Sequence, residues 1–125
     1  MFDHIQIKVA DIHGSRAFYD AVIGALGYPV VFEIEGVVIG YGTGTHDMFE
    51  IRQAAPGAPL SGAVHIAFTA PSRAAVDRFH AVALARGATD NGAPGLRPEY
   101  EEDYYAAFVI DPNGHNLEAV CGEAP

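Results

Sequence analysis

The chain has 125 residues, of which 50% are hydrophobic and 18% are charged, a composition that predicts a folded domain and excludes extended disorder. The formal net charge is −9, so its field repels phosphate backbones and anionic lipids, and we expect neither a nucleic-acid partner nor a membrane partner. The first residues lack the basic start and apolar core of a signal peptide, and Cys121 is the only cysteine. We therefore expect a cytoplasmic protein without an internal disulfide.

A pattern at the start of the chain recurs about half a chain later. His4 opens an alternating apolar strand, and Phe18 follows it within a helical pattern. His65 opens a second such strand, and Phe79 follows it at the same spacing. Self-similarity of this kind indicates one structural module present twice.

The first copy predicts a strand, a helix and three more strands. Asp11 is the expected N-cap of the helix, and its apolar face comprises Phe18, Val22, Ala25 and Leu26. The β-branched and aromatic runs that follow predict strands at about 30–35, 37–41 and 47–52.

The second copy predicts the same order in a looser form. Ser72 is the expected N-cap of its helix, and the apolar face comprises Ala75, Val76, Phe79, Val82 and Ala83. A short strand near 88–90 precedes strands at 105–110 and 115–121, which Asp111-Pro112-Asn113-Gly114 joins as a hairpin turn.

These elements predict an α+β fold of two βαβββ modules in tandem, related by a pseudo-twofold axis and forming a curved mixed sheet around a cleft. We place a single domain over 1–125, with module one at about 1–53, a linker at about 54–62 and module two at about 63–122. The segment 91–103 contains Pro, Gly and a cluster of acids, which predicts a long loop.

Alternation along the strands predicts which side chains face the cleft. His4 lies on the polar face of the first strand, and Glu50 lies opposite the apolar Phe49. His65 repeats the orientation of His4. Glu118 is a lone carboxylate between apolar neighbours, which is costly without a cationic partner.

Each module therefore offers one His and one Glu to a metal site. The predicted ligands are His4, Glu50, His65 and Glu118, and this set suits Zn²⁺, Ni²⁺, Co²⁺, Mn²⁺ or Fe²⁺. Two alternatives stay open. A lone strand His is more often structural than a ligand, and Glu50 could instead pair with Arg52 or Lys8.

Five stretches carry a resemblance that covers nearly the whole chain: DHIQIKV, SRAFYDAVIGALGY, MFEIR, VHIAF and YYAAFVIDPNGHNLEAV. They resemble the vicinal oxygen chelate superfamily, which includes glyoxalase I, bleomycin resistance proteins and extradiol dioxygenases, and the ending is similar to a glyoxalase-like branch. The resemblance implies that a His and a Glu from each module hold the metal, and that Glu118, or Glu50 in its place, moves a proton.

The expected function is that of a metal-dependent lyase or isomerase that acts on a small oxygen-chelating substrate by proton transfer next to a carbonyl. One alternative is a metal-free binding protein for a small, antibiotic-type molecule. The other is an Fe-dependent extradiol dioxygenase, in which His4, His65 and Glu118 would hold the iron and Glu50 would be surplus.

Three further expectations concern the surroundings of the site. The acidic run 99–103 is either a solvated loop or a lid on which Tyr100, Tyr104, Tyr105 and Arg97 line the cleft. We read His13, His46, His80 and His115 as structural or surface residues, with His115 able to reach the cleft rim. Exposed sheet edges and the resemblance imply a homodimer, and the linker is long enough for modules either to stay within one chain or to be exchanged. If modules are exchanged, the cleft would draw its ligands from two chains.

Overall fold

The computed structural model describes residues 1–125 and contains two copies of the order β-α-β-β-β, which confirms the predicted fold. The elements of module one are β1 (His4–Val9), α1 (Ile12–Gly24), β2 (Val30–Ile34), β3 (Val38–Tyr41) and β4 (Met48–Gln53). Those of module two are β5 (His65–Thr69), α2 (Arg73–Ala85), β6 (Thr89–Leu96), β7 (Tyr105–Ile110) and β8 (Asn116–Cys121).

Each module forms its own four-stranded mixed sheet. The strand order is β1-β4-β3-β2 in sheet one and β5-β8-β7-β6 in sheet two. The first and last strands of each module pair in parallel, so that Gln6 lies beside Glu50 and Ala67 beside Glu118. The remaining pairs are antiparallel.

Both helices begin at the predicted N-caps. The side chain of Asp11 accepts a hydrogen bond from the backbone N–H of His13, and that of Ser72 accepts one from Ala75. These bonds satisfy amide groups that have no partner within the helix. Neither helix, at 13 residues, has the length and apolar character required to cross a membrane.

The helices cover the apolar faces of the sheets and form one core between the modules. α1 packs on β3 and β4, α2 packs on β6, β7 and β8, and the two helices pack against each other. Cys121, on β8, is buried in the same cluster of 22 residues. The sheet faces without a helix therefore point away from this common core.

The hairpin of module two also attaches to module one. Its turn carries Asp111, whose carboxylate accepts hydrogen bonds from the hydroxyl of Tyr19 on α1 and from Nδ1 of His115 at 2.8 Å. His115 is completely buried, away from any cleft rim, and its Nε2 has no hydrogen-bond partner. Asn113 adds contacts to the backbone N–H of Ala10 and to Ser15 Oγ.

The first half of the predicted loop 91–103 is strand in the structure. β6 continues to Leu96 and pairs with β7, with irregular register around Gly92. Gly and Pro predict a break, but β6 is an edge strand that pairs on one side only, so Pro94 is tolerated between the paired residues Gly92 and Gly95.

The segment between the modules returns along the outer side of β1. The backbone N–H of Lys8 donates to Ser61 Oγ at 2.9 Å on this side. The backbone N–H of Ala54 donates to the carbonyl of Val9 on the other side, as a continuation of the parallel ladder between β1 and β4. This segment therefore occupies part of the edge of β1 that β4 leaves unpaired.

Candidate functional site

In module one, His4 and Glu50 lie on the face of sheet one that α1 does not cover. Ile7 and Val9 on β1, and Phe49 and Ile51 on β4, point into the core, so the alternate residues point outward. Glu50 is only 5% exposed. Its Oε1 accepts a hydrogen bond of 3.0 Å from Nε2 of Gln6, its direct neighbour across the parallel strands.

His4 is held through its Nδ1 atom. That atom lies 2.8 Å from Oδ1 of Asp3, and the other carboxylate oxygen of Asp3 lies 2.8 Å from Nδ1 of His46. The hydrogen bond with Asp3, helped by the negative charge of Glu50, raises the pKa of His4. Because Nδ1 is engaged with Asp3, Nε2 is the nitrogen of His4 that remains for a ligand.

In module two, His65 and Glu118 are in direct contact. Nε2 of His65 lies 2.9 Å from Oε1 of Glu118, and the hydroxyl of Tyr104 donates to Oε2 of the same carboxylate. Glu118 is 3% exposed, so it is buried with a donor on each oxygen. The imidazole of His65 also stacks on the ring of Phe108, with centroids 6.2 Å apart.

The alternative partners suggested for Glu50 differ from its partner in the structure. Glu50 pairs with Gln6 and with neither Arg52 nor Lys8, and Nζ of Lys8 lies 3.3 Å from Oε1 of Gln6. A buried Glu118 is expected to require a cation or a hydrogen-bond donor, and His65 and Tyr104 take this role in the structure.

The four predicted ligands form two separate pairs within one chain. His4 and Glu50 share sheet one, and His65 and Glu118 share sheet two. No group of three or more His, Cys, Asp or Glu side chains in the chain is close enough to hold a metal ion. One chain thus presents two His–Glu pairs, which we call half-sites after the role predicted for them.

Sequence reasoning did not single out Gln6 or Asp3, which contact the predicted ligands. Gln6 shares the polar face with His4, and its register opposite Glu50 depends on parallel pairing between distant strands. The sequence suggests only a lid role for Tyr104, whereas its hydroxyl donates to Glu118. Of the other lid candidates, Arg97 lies over the ring of Phe108 at 5.5 Å, whereas the hydroxyl of Tyr105 donates to Asp77 on α2.

A separate aromatic pocket lies where the modules meet. Its lining includes Tyr28, Tyr41, Phe49 and Phe68, and it contains none of the four predicted ligands. The half-sites and this pocket are therefore different places on the molecule.

Comparison with solved structures finds the same fold over nearly the whole chain. A glyoxalase/bleomycin resistance protein from Albidiferax ferrireducens T118 is 30% identical, with a TM-score of 0.84 over 96% of this chain and 98% of that one. A lactoylglutathione lyase from Agrobacterium tumefaciens is 21% identical, with a TM-score of 0.64 over 96% and 92% of the two chains.

A third structure, a glyoxalase/bleomycin resistance protein/dioxygenase family enzyme from Burkholderia phytofirmans PsJN, is 22% identical with a TM-score of 0.70 over 94% and 95% of the two chains. No curated protein matches the chain. The family model for the Glyoxalase/Bleomycin resistance protein/Dioxygenase superfamily matches residues 1–119. The chain therefore belongs to the Glyoxalase/Bleomycin resistance protein/Dioxygenase superfamily.

Proposed function

We propose that this protein is a metal-dependent lyase or isomerase of the glyoxalase type, active in the cytoplasm on a small substrate with two chelating oxygens. The observation that carries the proposal is the contact between Nε2 of His65 and Oε1 of Glu118, at 2.9 Å, with His4 and Glu50 in the equivalent positions of module one. An imidazole and a carboxylate in each of two equivalent places are the donors that a borderline divalent ion prefers.

The donor pairs are suited to a metal ion in chemistry and in orientation. His4 presents Nε2, because Asp3 engages Nδ1, and a second hydrogen bond of this kind is typical of metal-binding histidines. His65 already presents Nε2 towards a carboxylate oxygen. Two half-sites with two donors each would together supply four ligands and leave coordination positions for substrate.

We propose that the two half-sites meet between two copies of the chain. The helices pack against each other in the common core, so the faces with the donors point outward and are available to a second chain. In such a homodimer, His4 and Glu50 of one chain would face His65 and Glu118 of its partner, and the twofold symmetry would produce two equal sites.

When bound, the metal would supply positive charge that stabilises an oxyanion next to the reacting carbon. The chain's own carboxylates would hold or move the proton. Glu118 has donors on both oxygens, whereas Glu50 accepts from Gln6 at Oε1 only and leaves Oε2 without a protein donor. Both are buried, and a buried carboxylate near a carbonyl substrate can act as a general base.

One observation favours the alternative of a metal-free small-molecule binder. Within a single chain, the four candidate ligands do not come together around one point. This arrangement is expected if His65 and Tyr104 serve only as hydrogen-bond partners of the buried Glu118. The two hypotheses predict different numbers of metal ions per chain and different metal binding when two inactive variants are combined in one dimer.

The first experiment measures metal content by elemental mass spectrometry on protein prepared without an affinity tag. The proposed function predicts one divalent ion per chain, with loss in His65→Ala, Glu118→Ala and Glu50→Ala. Glu35→Ala is the matched control, because Glu35 is an exposed residue in the turn just after β2. Absence of metal after addition of Zn²⁺, Ni²⁺, Co²⁺, Mn²⁺ or Fe²⁺ would leave the metal-free binder as the better account.

The second experiment tests whether two chains share each site. Glu50→Ala and Glu118→Ala proteins are unfolded together, refolded together and loaded with metal. In a shared-site dimer, half of the dimers are mixed and each mixed dimer contains one complete site, so metal binding returns to about a quarter of the wild-type level. If each site lies within one chain, mixing the variants restores no metal binding. A wild-type protein that binds metal can then be screened for activity on 2-oxoaldehyde adducts.

A further inference from the structure

Both oxygens of Glu118 are engaged, and by different kinds of donor. Nε2 of His65 lies at Oε1, and the hydroxyl of Tyr104 donates to Oε2. In module one, Glu50 has only the amide of Gln6. Tyr104 therefore gives module two a contact that module one lacks.

Tyr104 is held in place by the loop that carries it. The backbone N–H of Arg97 donates to the carbonyl of Tyr104 at 2.7 Å, which joins the two ends of the turn before β7. The ring of Tyr100 packs edge-on against that of Tyr104, with centroids 5.1 Å apart. A tyrosine phenol is protonated at neutral pH, so the hydroxyl of Tyr104 is a donor to Glu118.

We infer that Tyr104 is a positioning residue for Glu118: its hydroxyl holds Oε2, so that Oε1, beside Nε2 of His65, is the oxygen presented to a metal ion. This inference rests on the proposed function. A carboxylate with one oxygen held by a phenol coordinates through the other oxygen alone, which keeps a coordination position free for substrate. Hydrogen-bond partners of ligands in this position commonly contribute 10–100-fold to metal affinity.

The alternative explanation is that Tyr104 only stabilises the loop, through its ring contact with Tyr100. Tyr104→Phe separates the two, because it keeps the ring that packs on Tyr100 and removes only the hydroxyl. Tyr105→Phe is the matched control, since the adjacent phenol donates to Asp77 at 2.7 Å, away from Glu118. Tyr100→Ala removes the ring contact and keeps the phenol of Tyr104.

The test titrates Co²⁺ alone into wild-type protein and the three variants, and records the dissociation constant and the visible spectrum. We expect Tyr104→Phe to bind Co²⁺ about 10–100-fold more weakly, with Tyr105→Phe and Tyr100→Ala within about 3-fold of wild type. The visible absorptivity of Co²⁺ in Tyr104→Phe should also fall, because the released Oε2 can join the coordination sphere, a change that a packing role would not produce.

Equal affinity and an equal spectrum in Tyr104→Phe would overturn the inference while leaving the proposed function intact. Equal weakening in Tyr104→Phe and Tyr100→Ala would also overturn it, in favour of a packing role. A wild-type protein that takes up no Co²⁺ would overturn the inference and the proposed function together.

Discussion

The hydroxyl of Tyr19, on the helix of module one, donates a hydrogen bond to the carboxylate of Asp111, in the last turn of module two. Asp111 also accepts from Nδ1 and the backbone N–H of His115 and from the backbone N–H of Asn113. All of these groups except Asn113 are buried. The contact therefore joins the two modules through a buried polar cluster, where loss of one donor is costly.

Removal of the Tyr19 hydroxyl should destabilise the protein. We expect Tyr19→Phe to lower the free energy of unfolding by about 1–3 kcal/mol, because a buried carboxylate loses a donor. Urea denaturation followed by circular dichroism measures this. Tyr28→Phe is the control, since the hydroxyl of Tyr28 bonds to the carbonyl of Thr69 at an exposed position, and an equal loss there would contradict the special role of Asp111.

Acid should weaken the same cluster. Burial acts to raise the pKa of Asp111, but hydrogen bonds from His115 and Tyr19 more than offset it, so the pKa lies below its ordinary value of 3.8. The unfolded chain then binds the proton at higher pH than the folded one. Asp111 therefore contributes stability above pH 3.8, and this contribution is lost as pH falls through the lowered folded pKa.

As pH is lowered below 3.8, the urea midpoint of the wild-type protein should therefore fall more steeply than that of Asp111→Asn. The variant has no carboxyl group to protonate at this position. Parallel curves for the two proteins would show that another carboxylate dominates the acid response.

A methyl group at Gly92 should disturb the second half-site. A Cβ there would lie 2.9 Å from Cδ1 of Phe108 and 3.3 Å from Nη2 of Arg97, and the backbone φ of +152° disfavours any other residue. We expect Gly92→Ala to cost about 1–3 kcal/mol of stability, because the ring that stacks on His65 must move.

Urea denaturation of Gly92→Ala alongside Gly44→Ala checks this, because a Cβ at Gly44 meets nothing within 4 Å. Stability equal to wild type in Gly92→Ala would show that Phe108 can shift freely.

Loss of an N-cap should destabilise module two at α2. Ser72→Ala removes the acceptor for the backbone N–H of Ala75, which lies 3.1 Å from Oγ, and we expect a loss of about 1 kcal/mol in the free energy of unfolding. Thermal and urea denaturation measure it, with the exposed Thr45→Ala as the control. A loss no larger than that of Thr45→Ala would contradict the capping role.

Local patterns in the sequence predict the two modules and the sheet faces on which the candidate metal ligands lie. Alternation places His4 and Glu50 opposite the core residues Ile7 and Phe49, because side chains in strands follow a period of two. Alternation cannot predict which side chains meet across strands. The Gln6–Glu50 contact depends on the parallel register of β1 and β4, and the Tyr104–Glu118 contact depends on the path of a loop.

The strand β6 shows a different limit. Its composition of Gly, Pro and Asn predicts a loop, yet pairing with β7 holds Thr89–Leu96 as a strand. Tertiary contacts override local preference here, because an edge strand needs only one neighbour. His115 shows the same limit, since its burial with Asp111 is set by the packing of two modules.

The segment that follows β4 has a consequence for the behaviour of the protein at high concentration. An unpaired strand edge can recruit another chain and extend into an aggregate. On the outer edge of β1, the N–H of Lys8 is already bonded to Ser61 Oγ in the connecting segment. The chain thus shields an edge of sheet one with its own connecting segment, which favours closed assemblies over open-ended strand addition.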